Sequence, residues 1–273
     1  MSLMSWNKTK SDGLVGVADT PSRSLQKSNH DTNKMMTMID PFSPTSEQYR
    51  LLFSKVDRIC QNSGKSVIAV TSSVKGEGKT TTISNLAVIA ARDFKKQCLL
   101  IDADFKNPSI AKTFEIQQEM GLVDFMHNRC TLDSILWRSP IPSLSVLPVG
   151  KPKCKEELVP SIEGLKTILS KVQGQYYNVL WDESQGDFLQ MSQQNIGMYD
   201  YVFIDTPPLV PVFDMNLISE VVDAIIFIAR AGEAPKRIIT KALSQLDKSK
   251  VIGMVLNGAQ NPWVNKYGYY AYY

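Results

Sequence analysis

The most constraining feature of the chain is a short run in which an apolar segment gives way to a glycine-rich turn and then to a helical pattern. Ser66-Val67-Ile68-Ala69-Val70-Thr71 leads into Ser73-Val74-Lys75-Gly76-Glu77-Gly78-Lys79-Thr80, and Ile83, Leu86, Ala87, Ile89 and Ala90 then recur at helical spacing as far as Arg92. Strand, tight turn and helix in that order place successive backbone N–H groups and a helix N-terminus around one point, which is how a chain holds a phosphate. Lys79 is positioned to neutralise β- and γ-phosphates and Thr80 to ligate Mg²⁺. The full pattern asks for glycine six residues before the lysine, where this chain has Ser73, so the loop is a variant. The nucleotide-contacting set read from it is Ser73, Val74, Lys75, Gly76, Glu77, Gly78, Lys79, Thr80 and Thr81.

Downstream, apolar runs alternate with helical stretches, which predicts an α/β fold with a doubly wound, mostly parallel sheet covered by helices on both faces. Strands are expected at Cys98–Asp102, Ser143–Val149, Tyr201–Asp205, Ala224–Ala229 and Val251–Leu256. Helices are expected at Ser46–Gln61, Lys79–Arg92, Ile162–Val172, Asp214–Val222 and Pro235–Leu246. Residues 1–44 are polar and without apolar period, so they read as a disordered lead-in, and Met1-Ser2-Leu3 reads as an added leader. The main domain is then 45–262, followed by a mobile tail, 263–273. Tyr176–Met198 fits neither pattern and reads as an extra strand and loop or a mobile insertion.

Two further groups belong with the loop. Asp102 and Asp104 close the strand after it, on the edge where the phosphate turn must also lie. Tyr201-Val202-Phe203-Ile204-Asp205 ends in a carboxylate and is stopped by Pro207 and Pro208. Carboxylates gathered beside a polyphosphate call for a hard cation, and Mg²⁺ meets that need. The charge balance, 30 basic against 27 acidic residues, argues against a nucleic-acid partner. Four widely spaced cysteines without a C-x-x-C pair suggest free thiols, and no apolar run reaches the roughly 18 residues of a membrane span. A cytoplasmic location is expected.

Together, Thr71-Ser72-Ser73, Gly76-Glu77-Gly78-Lys79-Thr80, Ile101-Asp102-Ala103-Asp104-Phe105-Lys106-Asn107-Pro108-Ser109 and Asp205-Thr206-Pro207-Pro208 resemble the bacterial tyrosine kinases (BY-kinases) of polysaccharide synthesis and export, relatives of the partition and division-site ATPases. The resemblance covers about residues 45 to 273. It implies ATP as phosphate donor, ADP as product, and autophosphorylation in trans within a homo-oligomeric ring. The acceptors it implies are Tyr267, Tyr269, Tyr270, Tyr272 and Tyr273, five tyrosines within the last seven residues. By the same resemblance, Lys79, Asp102 and Asp104 are catalytic, with Asp102 base or orienter for the incoming hydroxyl and Thr80, Asp104 and Asp205 holding Mg²⁺ directly or through water, the roles of Asp102 and Asp104 being exchangeable. Asn257 contacts adenine, and Glu47 and Arg50 begin an oligomerisation helix. Implied partners are a membrane-embedded polysaccharide chain-length regulator, which would hold the chain at the inner face of the membrane, and a tyrosine phosphatase.

The chain departs from that family at Lys75, where proline is usual, at Lys106, where arginine is usual, and at Phe53, where the oligomerisation helix carries its last arginine. The stretch Lys151–Leu158 lacks the usual Asn-Pro-Ser. A partition-type ATPase switch, which carries a signature lysine where this chain has Val74, and a nucleotide-binding scaffold without transfer are the two other readings.

Overall fold

The computed structural model describes residues 2–4, 36–158, 161–173, 178–182, 187–192, 198–210 and 214–259. Its strands are β1 (Ser2–Met4), β2 (Val67–Ser72), β3 (Cys98–Asp102), β4 (Trp137–Arg138), β5 (Leu144–Leu147), β6 (Asn178–Asp182), β7 (Asp187–Ser192), β8 (Tyr201–Asp205), β9 (Ala224–Arg230) and β10 (Val251–Asn257). The helices are α1 (Met36–Ile39), α2 (Pro44–Ser63), α3 (Lys79–Arg92), α4 (Ile110–Thr113), α5 (Leu122–Met126), α6 (Leu132–Ile135), α7 (Ile162–Gln173), α8 (Asp214–Val221) and α9 (Lys236–Leu243). Eight strands form one sheet in the order β1-β10-β9-β2-β8-β3-β5-β4, and its six inner strands are parallel. The expected doubly wound α/β architecture is therefore present.

Alternation along each strand divides the core into two layers, because successive side chains in a strand face opposite sides. Ile68, Val70, Leu100, Phe203, Ile226 and Ile228 pack on one side with α2 and α3 residues such as Phe53, Val56, Leu86 and Ile89. Val67, Ala69, Leu99, Ile101, Val202, Ile204 and Phe227 face the other, with Leu122, Ile135, Ile168 and Ile218 from the remaining helices. The inner strands are buried on both faces, which is why they read as unbroken apolar runs rather than as alternating ones.

Helix α2 starts earlier than the sequence pattern suggests. Its cap is Ser43, whose hydroxyl accepts the Ser46 N–H (3.1 Å), with Pro44 as the first helical residue. Asp40 organises the approach: its carbonyl accepts both the Ser43 and Ser46 hydroxyls. Gly64, at φ 63°, ends the helix.

The disordered lead-in expected up to residue 44 needs correction at two places. Thr37 in α1 donates through its N–H (3.2 Å) and its hydroxyl (2.7 Å) to Asn85 Oδ1 on α3, so the ordered fold reaches back to Met36. Ser2–Met4, whose first two residues fall in the expected leader Met1-Ser2-Leu3, pairs antiparallel with Met254–Leu256 and covers the open edge of β10. The rest of the lead-in, 5–35, lies outside the described residues. In the stretch that fitted no pattern, β6 and β7 pair antiparallel as a separate two-stranded sheet.

Phe53 explains one departure from the kinase pattern. It is fully buried on α2, edge-to-face against Phe94 (4.7 Å between centroids) and Tyr201 (5.7 Å). An arginine could not be placed there without burying an unpaired charge. Phe53→Ala is expected to lower the unfolding free energy by about 3–5 kcal/mol, read from urea titrations; a change below about 1 kcal/mol would contradict this packing role.

Candidate active site

Strand β2 ends at Ser72, and the chain turns through residues 73–78 before α3 begins at Lys79. Gly76 (φ 89°) and Gly78 (φ 92°) hold left-handed conformations that side-chain-bearing residues avoid. At Gly78 space is also lacking, since a Cβ there would lie 2.2 Å from Asn257 Nδ2. Glu77, between them, is turned into the protein and buried. Its carboxylate accepts the Ser73 hydroxyl (2.7 Å), the Val74 N–H (2.8 Å) and, on the other oxygen, the Arg230 N–H at the end of β9 (3.3 Å). Its carbonyl accepts Asn257 Nδ2 from the end of β10 (3.1 Å). Ser73, which replaces the usual glycine, thus serves as a hydroxyl donor that closes the loop on itself.

The acidic residues converge from two neighbouring strands. β8 lies between β2 and β3, with Asp205 opposite both Val70 and Asp102. The Thr80 hydroxyl donates to Asp205 Oδ2 (2.5 Å) and accepts the Ser109 hydroxyl (3.0 Å). Asp205 Oδ1 is buried and has no hydrogen-bond partner among the described residues. Burial, with Asp102 as neighbour, pushes the Asp205 carboxyl well above the usual carboxylate range. Burial likewise drives Asp102 up to about 7, against the pull of three backbone N–H groups. Those are Ser109 and Ile110 on Oδ2 (3.0 Å each) and Asp104 on Oδ1 (3.2 Å). Asp104 accepts the Asn107 N–H (3.0 Å). Lys79 is buried, and its ammonium is shifted down by desolvation while Asp205, Asp104 and Glu77 oppose that shift.

One ammonium therefore faces an excess of buried carboxylates, an arrangement that a bound cation would relieve. The unpartnered Asp205 oxygen and the Thr80 hydroxyl beside it suit a hard cation with oxygen ligands. Among the described residues no three acidic, histidine or cysteine side chains form a ready metal cage, so phosphate or water oxygens would have to complete the shell.

The other expected site residues are accounted for as follows. Thr81 lies exposed in the first turn of α3, and its carbonyl accepts Asn85 Nδ2 (2.7 Å). Asn257 borders the loop, but its amide is engaged within the chain, to Glu77 and from the Gly258 N–H (2.9 Å). Glu47 and Arg50 pair with each other (2.9 Å), and Arg50 also binds Asp93 (2.7 Å) and the Pro41 carbonyl (2.6 Å). Tyr267, Tyr269, Tyr270, Tyr272 and Tyr273 lie outside the described residues. Sequence reasoning missed Ser109 and the Arg230 N–H as parts of the site. Ser109 stood in a motif already singled out, whereas a backbone donor leaves no mark in a sequence.

Comparison with known proteins agrees with this geometry. The AAA domain family matches residues 65–232. Tyrosine-protein kinase CpsD of Streptococcus agalactiae is 31% identical over 234 residues, spanning 84% of this chain and 90% of that protein. The chain belongs to the bacterial tyrosine-protein kinase family. Tyrosine-protein kinase YwqD of Bacillus subtilis (strain 168) is 29% identical over 239 residues, spanning 86% of this chain and 90% of that one. Among solved structures, the kinase domain of Escherichia coli tyrosine kinase ETK superposes with a TM-score of 0.67 at 20% identity, covering 88% of this chain and 86% of that one. That likeness carries the fold across a wide sequence distance.

Because Glu77 holds both the Ser73 hydroxyl and the Val74 N–H, Glu77→Ala is expected to weaken nucleotide binding by roughly 10-fold or more, with Glu77→Gln between it and wild type. Calorimetric titration measures this, and a circular-dichroism melt checks that the fold persists. Unchanged affinity in the alanine variant would remove Glu77 from the cradle's architecture.

Proposed function

We propose that the chain is an ATP-dependent protein-tyrosine autokinase, which transfers the γ-phosphoryl group of ATP to the C-terminal tyrosine cluster of a neighbouring copy. The observation that carries this reading is the meeting of Lys79, Thr80 and Asp205 at the ends of β2 and β8, with Asp102 in register alongside. Family membership supplies the tyrosine specificity, and the resemblance supplies the setting, capsule or exopolysaccharide synthesis and export.

Each side chain then has a definite task. The residue 73–80 loop and the start of α3 receive the phosphates, and Lys79 offsets their negative charge. Thr80, Asp104 and Asp205 would hold Mg²⁺, which would supply positive charge to offset the charge developing on the phosphates. Asp102 orients the tyrosine hydroxyl and takes its proton as the new O–P bond forms and the bond from γ-phosphorus to the ADP oxygen breaks. Its raised carboxyl suits it to accept a proton near neutral pH. Asn257, beside the loop, keeps one amide hydrogen on Glu77 and offers the other to an edge of adenine. The rest of the rate comes from holding donor and acceptor in line.

Assembly and partners complete the proposal. Phe42 is 91% exposed and Leu51 47% exposed, two apolar side chains on either side of Glu47 in the sequence that suit contact with another copy. Among the described residues no helix is long and apolar enough to cross a membrane. A membrane-embedded chain-length regulator would place the kinase at the inner face of the membrane, and a tyrosine phosphatase would reset the tail. Val74, where a partition-type switch carries its signature lysine, favours transfer over that alternative.

Incubation with Mg-ATP and detection of phosphotyrosine is expected to label wild type, and to show at least about a 100-fold lower rate in Lys79→Met. An unlabelled wild type, or equal labelling of the variant, would defeat the kinase reading. Transfer between copies has its own check. Mixing Lys79→Met with a chain whose five terminal tyrosines are phenylalanine should label the Lys79→Met chain, and no label there would exclude transfer in trans.

A further inference from the structure

Lys75 stands at the apex of the phosphate loop with its side chain exposed, at a position where the kinase pattern has proline. Its ammonium does not simply extend into solvent. It crosses the mouth of the cradle and donates to Asn107 Oδ1 (2.9 Å) on the turn that follows β3. That acceptor is fixed with respect to the acidic side of the site, because the Asn107 N–H is bonded to both the carbonyl (3.1 Å) and the carboxylate (3.0 Å) of Asp104. Lys75 is also close enough to Lys79 to repel it, being one of the charges that push the Lys79 ammonium down.

Two ammonium groups thus overlook one small loop, one buried at its base and one at its rim. Two like charges on the same turn are unfavourable unless an anion comes between them. A neutral amide oxygen is a modest partner for an ammonium, and a phosphate oxygen is a stronger one, because its negative charge adds a Coulomb attraction that the amide lacks. The Lys75 ammonium ends on Asn107, whose N–H is held by Asp104, and so lies at the acidic end of the cradle, where transfer would take place.

We propose that Lys75 is a second phosphate-contacting cation, which leaves Asn107 to bind the terminal phosphate of ATP from the open side of the loop and so discriminates ATP from ADP. The proposal rests on the nucleotide assignment of the loop and deepens it. The Lys75–Asn107 bond spans the mouth of the cradle. With a triphosphate bound, the ammonium moves onto the γ-phosphate and shares its charge during transfer. With a diphosphate bound, nothing reaches the rim and the bond to Asn107 remains. Lys79 at the base contacts both nucleotides and cannot make this distinction alone.

The test uses the full chain with Mg²⁺ and compares dissociation constants for a non-hydrolysable ATP analogue and for ADP, in wild type, Lys75→Met, Lys75→Arg and Asn107→Ala. Lys75→Met is expected to weaken the analogue roughly 10- to 100-fold while changing ADP less than about 3-fold. Lys75→Arg, which keeps the charge, should recover most of the loss, and Asn107→Ala should leave the preference for the triphosphate intact. Tyrosine labelling at saturating ATP should fall in Lys75→Met as well. Equal weakening of both nucleotides, or none, would overturn the proposal while leaving the kinase reading standing. Loss of discrimination in Asn107→Ala as large as in Lys75→Met would also overturn it, because the bridge rather than a phosphate contact would then be responsible. A wild type that binds neither nucleotide would defeat both readings at once.

Discussion

The structure depends on a charge imbalance concentrated at one edge of the sheet. Lys79 is buried next to Asp205, Asp104 and Glu77, and Asp205 faces Asp102 across the β3–β8 ladder. Desolvation disfavours every charged form in this group, raising the acids and lowering the lysine. A protein built only for stability would not keep such an arrangement, because well-packed apolar residues of similar size are often as stabilising as buried ions. On the proposed reading the missing positive charge arrives with the nucleotide, as a cation placed among the acids. The topology makes the meeting possible: the chain passes from β2 to β3 and leaves a gap that β8 later fills, bringing two carboxylate-tipped strand ends beside the loop.

Glu77 gives that edge its rigidity. A loop of small and flexible residues would lose considerable conformational entropy on closing around a phosphate. Here the closure is already made by an internal carboxylate, joined to Ser73, Val74 and the end of β9, and by Asn257 from β10. The loop is therefore braced against two strands it does not belong to. Less ordering remains for the nucleotide to impose, which favours binding without adding contacts.

Most of this was legible in the chain, and the reasons are physical. Inner strands such as Tyr201–Asp205 are buried on both faces, so each is an apolar run ending in a polar residue, and its position in the sheet follows from that pattern. The short helices α4, α5 and α6 carry too few residues to show a period, and they went unread. Ser46 was read as the start of α2 because the apolar stripe begins near it, yet the cap that decides the start is Ser43, organised by the Asp40 carbonyl. Asp93 as a partner of Arg50, and Arg230 as a donor to Glu77, join residues 43 and 153 positions apart. No local pattern records such contacts, which arise only when the sheet closes.

On the proposed reading, the same acidic edge also limits the reaction it supports. Each phosphate added to a tyrosine brings about −1.5 to −2 charges near neutral pH. Asn257, where the last strand ends, already touches the loop, so the chain beyond it starts its course at the catalytic edge. From Asn257 to Tyr267 is 10 residues, an extended reach of up to about 33–36 Å, enough to approach either the chain's own cradle or a neighbour's. Length therefore does not select between the two, and electrostatics acts on both alike. An unmodified tyrosine approaches Asp102 and Asp104 as a neutral hydroxyl, whereas a modified one approaches as a multiple anion at a site already short of positive charge. Successive transfers would thus weaken the tail's hold on the site that modified it, and the number of phosphates carried would be set by this repulsion rather than by the number of tyrosines.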